Sequence, residues 1–171
     1  MYKIFVLAIT LFLIGCGYKP TSYFAKEVLG DKIYAQIDIS RTDPKNSVII
    51  KDAINEAIIT RFGAKLSTKE AADTKIYLSL SSVTFTPILY DINGYVISYK
   101  AKVTLKMRYI DKEKESGVIM TEGEYDFPIE ANSVISDTKR FEAIRYASLD
   151  AINEFVSKVS IKGIQNGKYG Q

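Results

Sequence analysis

The sequence predicts an α+β fold in which two helices pack on one face of a four-stranded mixed sheet, in the order β-α-β-β-β-α with a long central hairpin. Two stretches carry apolar residues at helical spacing, other stretches alternate apolar with polar residues, and Asn93-Gly94 is a strong hairpin signal. We see no internal repeat and no second domain in the 171 residues. We therefore expect a single α+β domain at residues 32–160, large enough to bury a substantial core.

The first strand and the first helix begin this domain. Apolar and polar residues alternate over residues 32–39, as in a strand with one buried face. Asp43 caps the helix and Pro44 opens it, because the carboxylate accepts N–H groups of the first turn and proline has no N–H to leave unpaired. Gly63 is expected to end the helix, before a polar linker at residues 64–73. The predicted buried face of the helix consists of Ile50, Ala53, Ile54, Ala57, Ile58 and Phe62.

A long hairpin follows the linker. In the strand at residues 75–90, the apolar residues lie at even positions before Ser81-Ser82 and at odd positions after them. A switch of this kind predicts a β-bulge at the two serines. Both residues of Asn93-Gly94 tolerate positive φ, so the chain is expected to reverse at that point. The predicted buried face of the returning strand consists of Tyr99, Ala101, Val103, Leu105, Met107 and Tyr109.

A charged turn at residues 111–116 leads to the fourth strand and then to the second helix. Pro128 ends the strand and marks it as an edge, because proline cannot donate to a neighbouring strand. Ser136 and Asp137 cap the helix. Residues 161–171, rich in Gly, Asn and Lys, are expected to form a mobile tail. The predicted buried face of the second helix consists of Phe141, Ile144, Ser148, Ala151, Ile152, Phe155 and Val159.

The N-terminus has the layout of a bacterial lipoprotein signal. Lys3 precedes an unbroken apolar run at residues 4–14, shorter than the roughly 20 residues that a transmembrane helix needs. The run closes with Leu13-Ile14-Gly15-Cys16, which is similar to a lipobox, the apolar–apolar–small–cysteine motif whose cysteine becomes the acylated N-terminus. An ordinary signal peptide that adjoins a cysteine is the alternative.

Use of the lipobox would make residues 1–15 a signal peptide and residues 16–31 the lipidated N-terminus and tether. Cys16 then carries diacylglycerol and an N-acyl chain, and we expect no other cofactor and no metal. Because each buried methylene contributes about 0.8 kcal/mol, two or three chains anchor the domain to a membrane permanently. In lipoproteins of enteric bacteria, an aspartate directly after the cysteine tends to retain the protein at the inner membrane. Here Gly17 follows the cysteine, which favours the periplasmic side of the outer membrane.

The composition excludes several kinds of site. The chain contains no histidine, which rules out Ser-His-Asp and Cys-His catalysis and a His-ligated zinc. Its net charge of +3 is too small to indicate nucleic-acid binding. Glu122 and Glu124 share a strand face at about 7 Å, a separation that the two catalytic carboxylates of inverting glycosidases also show. Their cationic neighbours, however, would keep both carboxylates ionised instead of shifting their pKa values apart. No catalytic residue is therefore predicted, and the protein is not expected to be an enzyme.

A basic stripe runs along one face of the third strand, and it consists of Lys100, Lys102, Lys106 and Arg108. Such a row could bind the phosphates of a lipid headgroup or of an anionic glycolipid. If the following turn centres on Lys114, however, Lys106 lies opposite Glu122. The same register places Lys102 opposite Asp126, and both pairs would be ordinary cross-strand ion pairs. We favour the ion pairs, which leave Lys100 and Arg108, near the strand ends, as the freest cations.

The tip of the long hairpin is apolar. A strand at residues 75–90 spans roughly 50 Å, whereas a helix at residues 137–159 spans about 34 Å. The hairpin should therefore extend about 15 Å beyond its helical cover, and an uncovered apolar patch usually marks a binding surface. Alternatively, the hairpin curls over at the bulge and buries its own tip. The candidate partner-contact residues are Leu89, Tyr90, Ile92, Tyr95 and Val96.

Three features are similar to those of one known family: Cys16-Gly17-Tyr18, Asp43-Pro44 at the start of the first helix, and the order of elements with long central strands. On these features the chain resembles the LptE family of lipopolysaccharide-assembly lipoproteins. The resemblance implies a non-catalytic plug inside a large outer-membrane β-barrel, LptD, that helps to deliver lipopolysaccharide to the cell surface. By chemistry alone, Lys100, Arg108 and Lys112 are candidates for contacts with lipopolysaccharide phosphates.

A second interpretation is a periplasm-facing lipoprotein that activates a cell-wall synthase. Such activators also carry compact α/β domains on a tether. The predicted tether at residues 16–31 is short for a protein that must reach an inner-membrane synthase from the outer membrane. We therefore rank this interpretation behind the LptE resemblance.

Overall fold

The structure, a computed structural model, describes residue 26, residues 28–38 and residues 44–165. The predicted lipobox and acylation site, Leu13 to Cys16, lie outside the described residues, as does the capping Asp43. The elements, in chain order, are β1 (Lys32–Asp38), α1 (Pro44–Thr60), β2 (Lys65–Leu66), β3 (Thr74–Tyr90), β4 (Val96–Ile110), β5 (Ser116–Pro128) and α2 (Asp137–Gln165).

The strands form one mixed sheet with the order β2-β1-β3-β4-β5. β1 is parallel to both of its neighbours, and the two hairpins make the remaining pairs antiparallel. The predicted α+β class is confirmed, but the described sheet has five strands rather than four. The additional strand, β2, lies in the predicted polar linker and has two residues, which is too short to show alternation. Backbone bonds hold it, as in Lys65 N–H to Asp31 O at 2.8 Å.

The predicted buried face of α1 is confirmed, and all six of its residues are at most 1% exposed. The helix ends where Gly63 adopts a φ of +60°, the left-handed conformation that glycine reaches without steric cost. There the N–H of Phe62 donates to the Ala57 carbonyl at 3.1 Å, and the N–H of Ala64 donates to the Ile58 carbonyl at 3.0 Å. These bonds satisfy carbonyls that the end of the helix would otherwise leave unpaired.

Helix α2 begins as predicted, with the N–H of Lys139 donating to Ser136 Oγ at 3.3 Å. Six of the seven residues assigned to its buried face are buried, namely Ile144, Ser148, Ala151, Ile152, Phe155 and Val159. Phe141 is 47% exposed, so that assignment is wrong. In the first turns, Arg140 rather than Phe141 covers the sheet, with its guanidinium 4.7 Å from the Phe85 ring centroid. The helix extends to Gln165, into the segment predicted as a tail.

The packed body begins before the predicted domain start at residue 32. Leu29 is fully buried in the core, although it lies in the segment predicted as a tether. Gly30, at a φ of +78°, leaves room for the side chain of Asp73. Asp73 Oδ2 accepts the backbone N–H groups of Asp31 and Lys32, each at 2.9 Å, and so joins this segment to the loop before β3.

Helix α2 lies in backbone contact with β5 at Gly123. A Cβ atom on this glycine would collide with the carbonyl oxygen of Ala147 and the amide nitrogen of Ala151. Ala147, Ser148 and Ala151 are all fully buried, so small residues line the contact from the helix side. The glycine in the middle of a strand is therefore required by the close approach of another backbone.

Side chains of α2 cover the free edge of β5. Glu154 Oε2 accepts the Glu122 N–H at 2.7 Å, and Asp150 Oδ2 accepts the Glu124 N–H at 3.0 Å. Lys158 Nζ donates to the carbonyl of Met120 at 2.9 Å. An unpaired strand edge invites pairing with another chain, and here the helix supplies the missing partners. The edge position of β5, predicted from its final proline, is confirmed.

The contact at Gly123 predicts a large effect of a single methyl group. We expect Gly123→Ala to lower the free energy of unfolding by about 1–3 kcal/mol, because the new atom meets two backbone atoms that cannot move independently. Urea unfolding measures the loss. Gly117→Ala is the matched control on the same strand, since its Cβ would meet the ring end of Tyr109, a side chain. Equal losses in the two variants would contradict the explanation.

The Glu154 carboxylate predicts a pH-dependent contribution to stability. Burial raises the pKa of Glu154, but hydrogen bonds from Lys158 and from the Glu122 N–H outweigh it and hold that pKa below its ordinary value of 4.5. The stabilisation is therefore present above the unfolded-state pKa and is lost as the pH falls through the folded-state pKa. We expect Glu154→Gln to lower the free energy of unfolding at neutral pH by at most about 1 kcal/mol, since the pair is partly exposed.

Urea unfolding of the parent chain and of Glu154→Gln tests this expectation at two pH values. The difference between them should disappear near pH ~2, where the carboxyl is protonated in both folded and unfolded chains. A difference that is the same at both pH values would show that packing, rather than charge, is responsible.

Candidate functional site

The β3–β4 hairpin closes with a turn that Asp91 organises. Asp91 Oδ1 accepts the N–H groups of Asn93 at 2.9 Å and of Tyr95 at 2.8 Å, and the Asp91 N–H donates to the Tyr95 carbonyl at 2.9 Å. The predicted turn is confirmed. Gly94 takes a φ of +84°, whereas Asn93 does not use the positive φ that it tolerates.

The β4–β5 turn has the same construction around Asp111. Asp111 Oδ1 accepts the N–H groups of Glu113 and Glu115, both at 2.9 Å, and the Asp111 N–H donates to the Glu115 carbonyl at 2.9 Å. Lys114 occupies the position of the glycine in the other turn, at a φ of +65°. Because Asp111 and Glu115 close the loop, the turn centres on Glu113 and not on Lys114.

This difference of one residue at the turn shifts the strand register by two. Lys106 lies opposite Met120, and Lys102 lies opposite Glu124. The predicted pairs of Lys106 with Glu122 and of Lys102 with Asp126 are therefore wrong. Cross-strand ion pairs do form on this face, but they join other partners.

Two of the four stripe cations are held by carboxylates. Lys100 Nζ lies 2.5 Å from Glu124 Oε2 and 3.9 Å from Asp126 Oδ1, and Lys102 Nζ lies 2.6 Å from Glu122 Oε2. The hydrogen bond with Glu124 raises the pKa of Lys100 and lowers the pKa of Glu124, so both remain charged at neutral pH. The prediction that Lys100 is free is wrong, because its side chain reaches diagonally to β5.

The same contacts weaken any catalytic interpretation of Glu122 and Glu124. Each carboxylate is bound by its own lysine, and a general acid would instead need a raised pKa. Glu124 has a lowered pKa because Lys100 donates to it. The pair is thus a structural element of the sheet surface.

Lys106 and Arg108 form the other half of the stripe, and neither makes an ion pair with a residue in the described part of the chain. The Arg108 guanidinium lies 4.7 Å from the centroid of the Tyr77 ring, which orients it across the sheet surface. The two cations line a shallow depression of about 260 Å³, together with Asp38, Tyr77, Ser79 and Val118. We call this depression the basic depression.

Exposed apolar side chains adjoin these cations. Val118 is 56% exposed and Met120 is 55% exposed, and they lie opposite Arg108 and Lys106 on β5. The arrangement places positive charge and apolar surface side by side, as the recognition of an amphiphilic anion requires. The sequence predicts an ion pair for Lys106, but the register places Met120 opposite it instead of Glu122. Val118 and Met120 lie on the same face of β5 as Glu122, so the sequence does contain the change from carboxylates to apolar neighbours along that face.

The three cations proposed from the sequence are therefore not brought together. Arg108 lies in the basic depression, and Lys100 lies farther along β4 in its ion pairs. Lys112 is exposed on the β4–β5 turn and lines a separate depression of about 170 Å³ with Lys75 and Lys114.

The tip of the β3–β4 hairpin lies at the opposite end of the sheet and is exposed. Ile92 is fully exposed, and Leu89, Tyr90 and Tyr95 are 46–54% exposed, while Val96 is half-buried. In the described part of the chain, β1 accompanies β3 only as far as Ser79, and β5 ends opposite Ser98. The alternative in which the hairpin folds back and buries its tip is therefore excluded. The predicted bulge is present as a register shift between Leu80 and Ser82.

No helix in the described residues is both long and apolar enough to cross a membrane.

Comparisons with known proteins agree with this architecture. A family model named LptE and described as lipopolysaccharide-assembly matches residues 34–159. No curated protein sequence matches the chain. A solved Xanthomonas campestris protein is 10% identical with a TM-score of 0.52, over 81% of this chain and 88% of that chain.

Two other solved structures are similar at low sequence identity. A Caulobacter crescentus protein described as a lipoprotein is 9% identical with a TM-score of 0.50, over 84% of this chain and 96% of that chain. The rare lipoprotein B of Shewanella oneidensis is 11% identical with a TM-score of 0.42, over 80% of this chain and 93% of that chain. At such identities, structural similarity concerns the fold alone.

Proposed function

The chain belongs to the LptE family of lipopolysaccharide-assembly lipoproteins, and from that premise we propose that it is an outer-membrane subunit of the lipopolysaccharide translocon. In this proposal Cys16 carries the acyl chains that anchor the protein on the periplasmic side. The domain plugs, or assists the assembly of, a β-barrel partner of the LptD kind. It thereby helps to deliver lipopolysaccharide to the outer leaflet without catalysing a reaction.

The observation that carries the barrel partnership is the protruding hairpin. Its last residues extend beyond both neighbouring strands, in the described part of the chain, and end in large exposed apolar side chains. A contiguous exposed apolar surface of this kind usually binds a partner. A long hairpin that extends beyond its neighbouring strands also suits insertion into the lumen of a large barrel.

The basic depression supports contact with lipopolysaccharide. Lipid A offers phosphates beside acyl chains, and Lys106 and Arg108 offer two cations beside Val118 and Met120. Arginine and lysine bind phosphate oxygens through charge-assisted hydrogen bonds. The neighbouring Lys100 and Lys102 are less suited to this role, because binding a phosphate would require them to leave their carboxylates.

Removing the two unpaired cations should weaken lipopolysaccharide binding. We expect the double variant Lys106→Gln, Arg108→Gln to bind purified lipopolysaccharide at least about tenfold more weakly, since two charge-assisted contacts are lost. Titration of the detergent-solubilised protein with purified lipopolysaccharide at constant salt measures this. The double variant Lys100→Gln, Lys102→Gln is the matched control, because it removes the same number of charges from the same strand face. A loss of equal size in that variant would contradict a specific role for the basic depression.

Charging the hairpin tip should weaken the barrel complex without destabilising the domain. We expect Leu89→Asp and Ile92→Asp each to reduce the amount of barrel protein that co-purifies after mild detergent extraction and crosslinking. Both side chains are at least half exposed, so the free energy of unfolding should change by less than about 0.5 kcal/mol. Ile59→Asp, on a 58% exposed side chain of α1, is the control.

The co-purification itself tests the proposal as a whole. A stoichiometric, heat-modifiable β-barrel supports the translocon role. An inner-membrane cell-wall synthase in its place would support the second interpretation and overturn the first. A large loss of stability in Leu89→Asp or Ile92→Asp would contradict the interface, because side chains this exposed should not contribute to folding.

A further inference from the structure

Among the described residues, no strand pairs with the outer edge of β3 over its distal half. β1 pairs with β3 from Thr74 to Ser79, and beyond that point β4 is the neighbour of β3 in the described part of the chain. We call residues Val83 to Tyr90 the open edge.

The open edge is protected at its far end by Pro87 and by the register shifts after it, at Leu89 and Tyr90, but it has no such feature from Val83 to Thr86. Its sequence, Val-Thr-Phe-Thr-Pro-Ile-Leu-Tyr, contains no charged residue, and β-branched and aromatic residues that favour strands predominate. The opposite edge of the same sheet, on β5, is covered by side chains of α2. Within the described residues, the fold thus closes one edge of the sheet and leaves the other available.

Pro87 indicates which backbone groups face outward. Proline has no N–H, so it is found on edge strands with its nitrogen turned away from the neighbouring strand. Pairing between β3 and β4 is regular from Ser82 to Pro87. Because N–H groups alternate in direction along a strand, we expect the N–H groups of Val83 and Phe85 to face outward with the Pro87 nitrogen.

A cation beside the open edge suggests the chemistry of its occupant. The Arg140 guanidinium stacks on the Phe85 ring at 4.7 Å. It makes no ion pair with a residue in the described part of the chain. A strand added at this edge would place every second side chain on the α2 side of the sheet, next to Phe85. An acidic side chain there would meet Arg140.

We propose that the open edge of β3 receives an extended segment of the barrel partner as an added β-strand, with uncharged β-forming residues and one acidic residue opposite Arg140. The open edge continues directly into the exposed tip, so one segment of the partner can contact both. This inference rests on the proposed translocon function, because the strand comes from the barrel partner. Backbone bonds would supply affinity, and the acidic residue would set the register.

Amide hydrogen exchange tests the added strand. The full chain is compared alone and in the native complex extracted from membranes with mild detergent. In the complex, the amides of Val83 and Phe85 should slow by at least about tenfold, whereas those of Thr84 and Thr86, which face β4, should already be slow in the chain alone. Unchanged exchange at Val83 and Phe85 in a complex that does contain the barrel would overturn the added strand and leave the translocon function standing.

The remaining outcomes are also decisive. If no barrel is recovered, both the proposed function and this inference fail. Slow exchange of Val83 and Phe85 in the chain alone would show another occupant: a second copy if the protection rises with protein concentration, or a segment of the same chain if it does not. Protection of all amides, with no alternation, would indicate covering by side chains without strand pairing and would overturn the proposal.

A charge reversal provides an independent measurement. We expect Arg140→Glu to weaken the complex about tenfold, measured as barrel protein retained during graded urea washing of the immobilised complex. Lys139→Glu is the matched control, because it makes the same change of charge on the adjacent residue of α2. Equal weakening by both variants would show that net charge, and not an acidic partner at Arg140, is responsible.

Discussion

The side chain of Asp111 determines how the exposed face of the sheet is used. By accepting the N–H groups of Glu113 and Glu115, it closes the β4–β5 turn around Glu113 and so sets the register of the two strands. Three carboxylates of β5 then lie within reach of Lys100 and Lys102, whereas Lys106 and Arg108 face apolar side chains. A turn longer by two residues would place Lys106 opposite a glutamate. The distinction between structural cations and available cations therefore depends on a single turn.

The buried side of the sheet is organised by the close contact between α2 and β5. Gly123 allows the helix backbone to approach the strand, and this proximity lets Glu154, Asp150 and Lys158 bond to the backbone of the edge strand. The helix consequently covers one face and one edge together. Among the described residues, the parts of the sheet that remain accessible are the opposite face, the outer edge of β3 and the hairpin tip. The accessible surfaces thus follow from where the helix had to lie.

These surfaces divide the domain into two ends with different chemistry. Near the β4–β5 turn, unpaired cations lie beside apolar side chains, which suits an amphiphilic phosphate. At the other end of the same strands, the hairpin is apolar and nearly uncharged, which suits a protein partner. A member of a lipopolysaccharide-assembly family that had to contact both a glycolipid and a barrel would be well served by this separation, because neither ligand would have to displace the other.

The sequence by itself determined the elements, most of their buried residues and the hairpin turn at Gly94. Helical spacing, strand alternation, capping residues and glycines act within a few positions of one another, so their signals are local. The short strand β2 gave no such signal, and Phe141 was misassigned because its burial depends on where the first turns of α2 meet the sheet. Only the tertiary structure decided which lysines are paired and which edge is covered. Those outcomes depend on strand register and on the approach of one backbone to another, and both are set by contacts between residues that are distant in the chain.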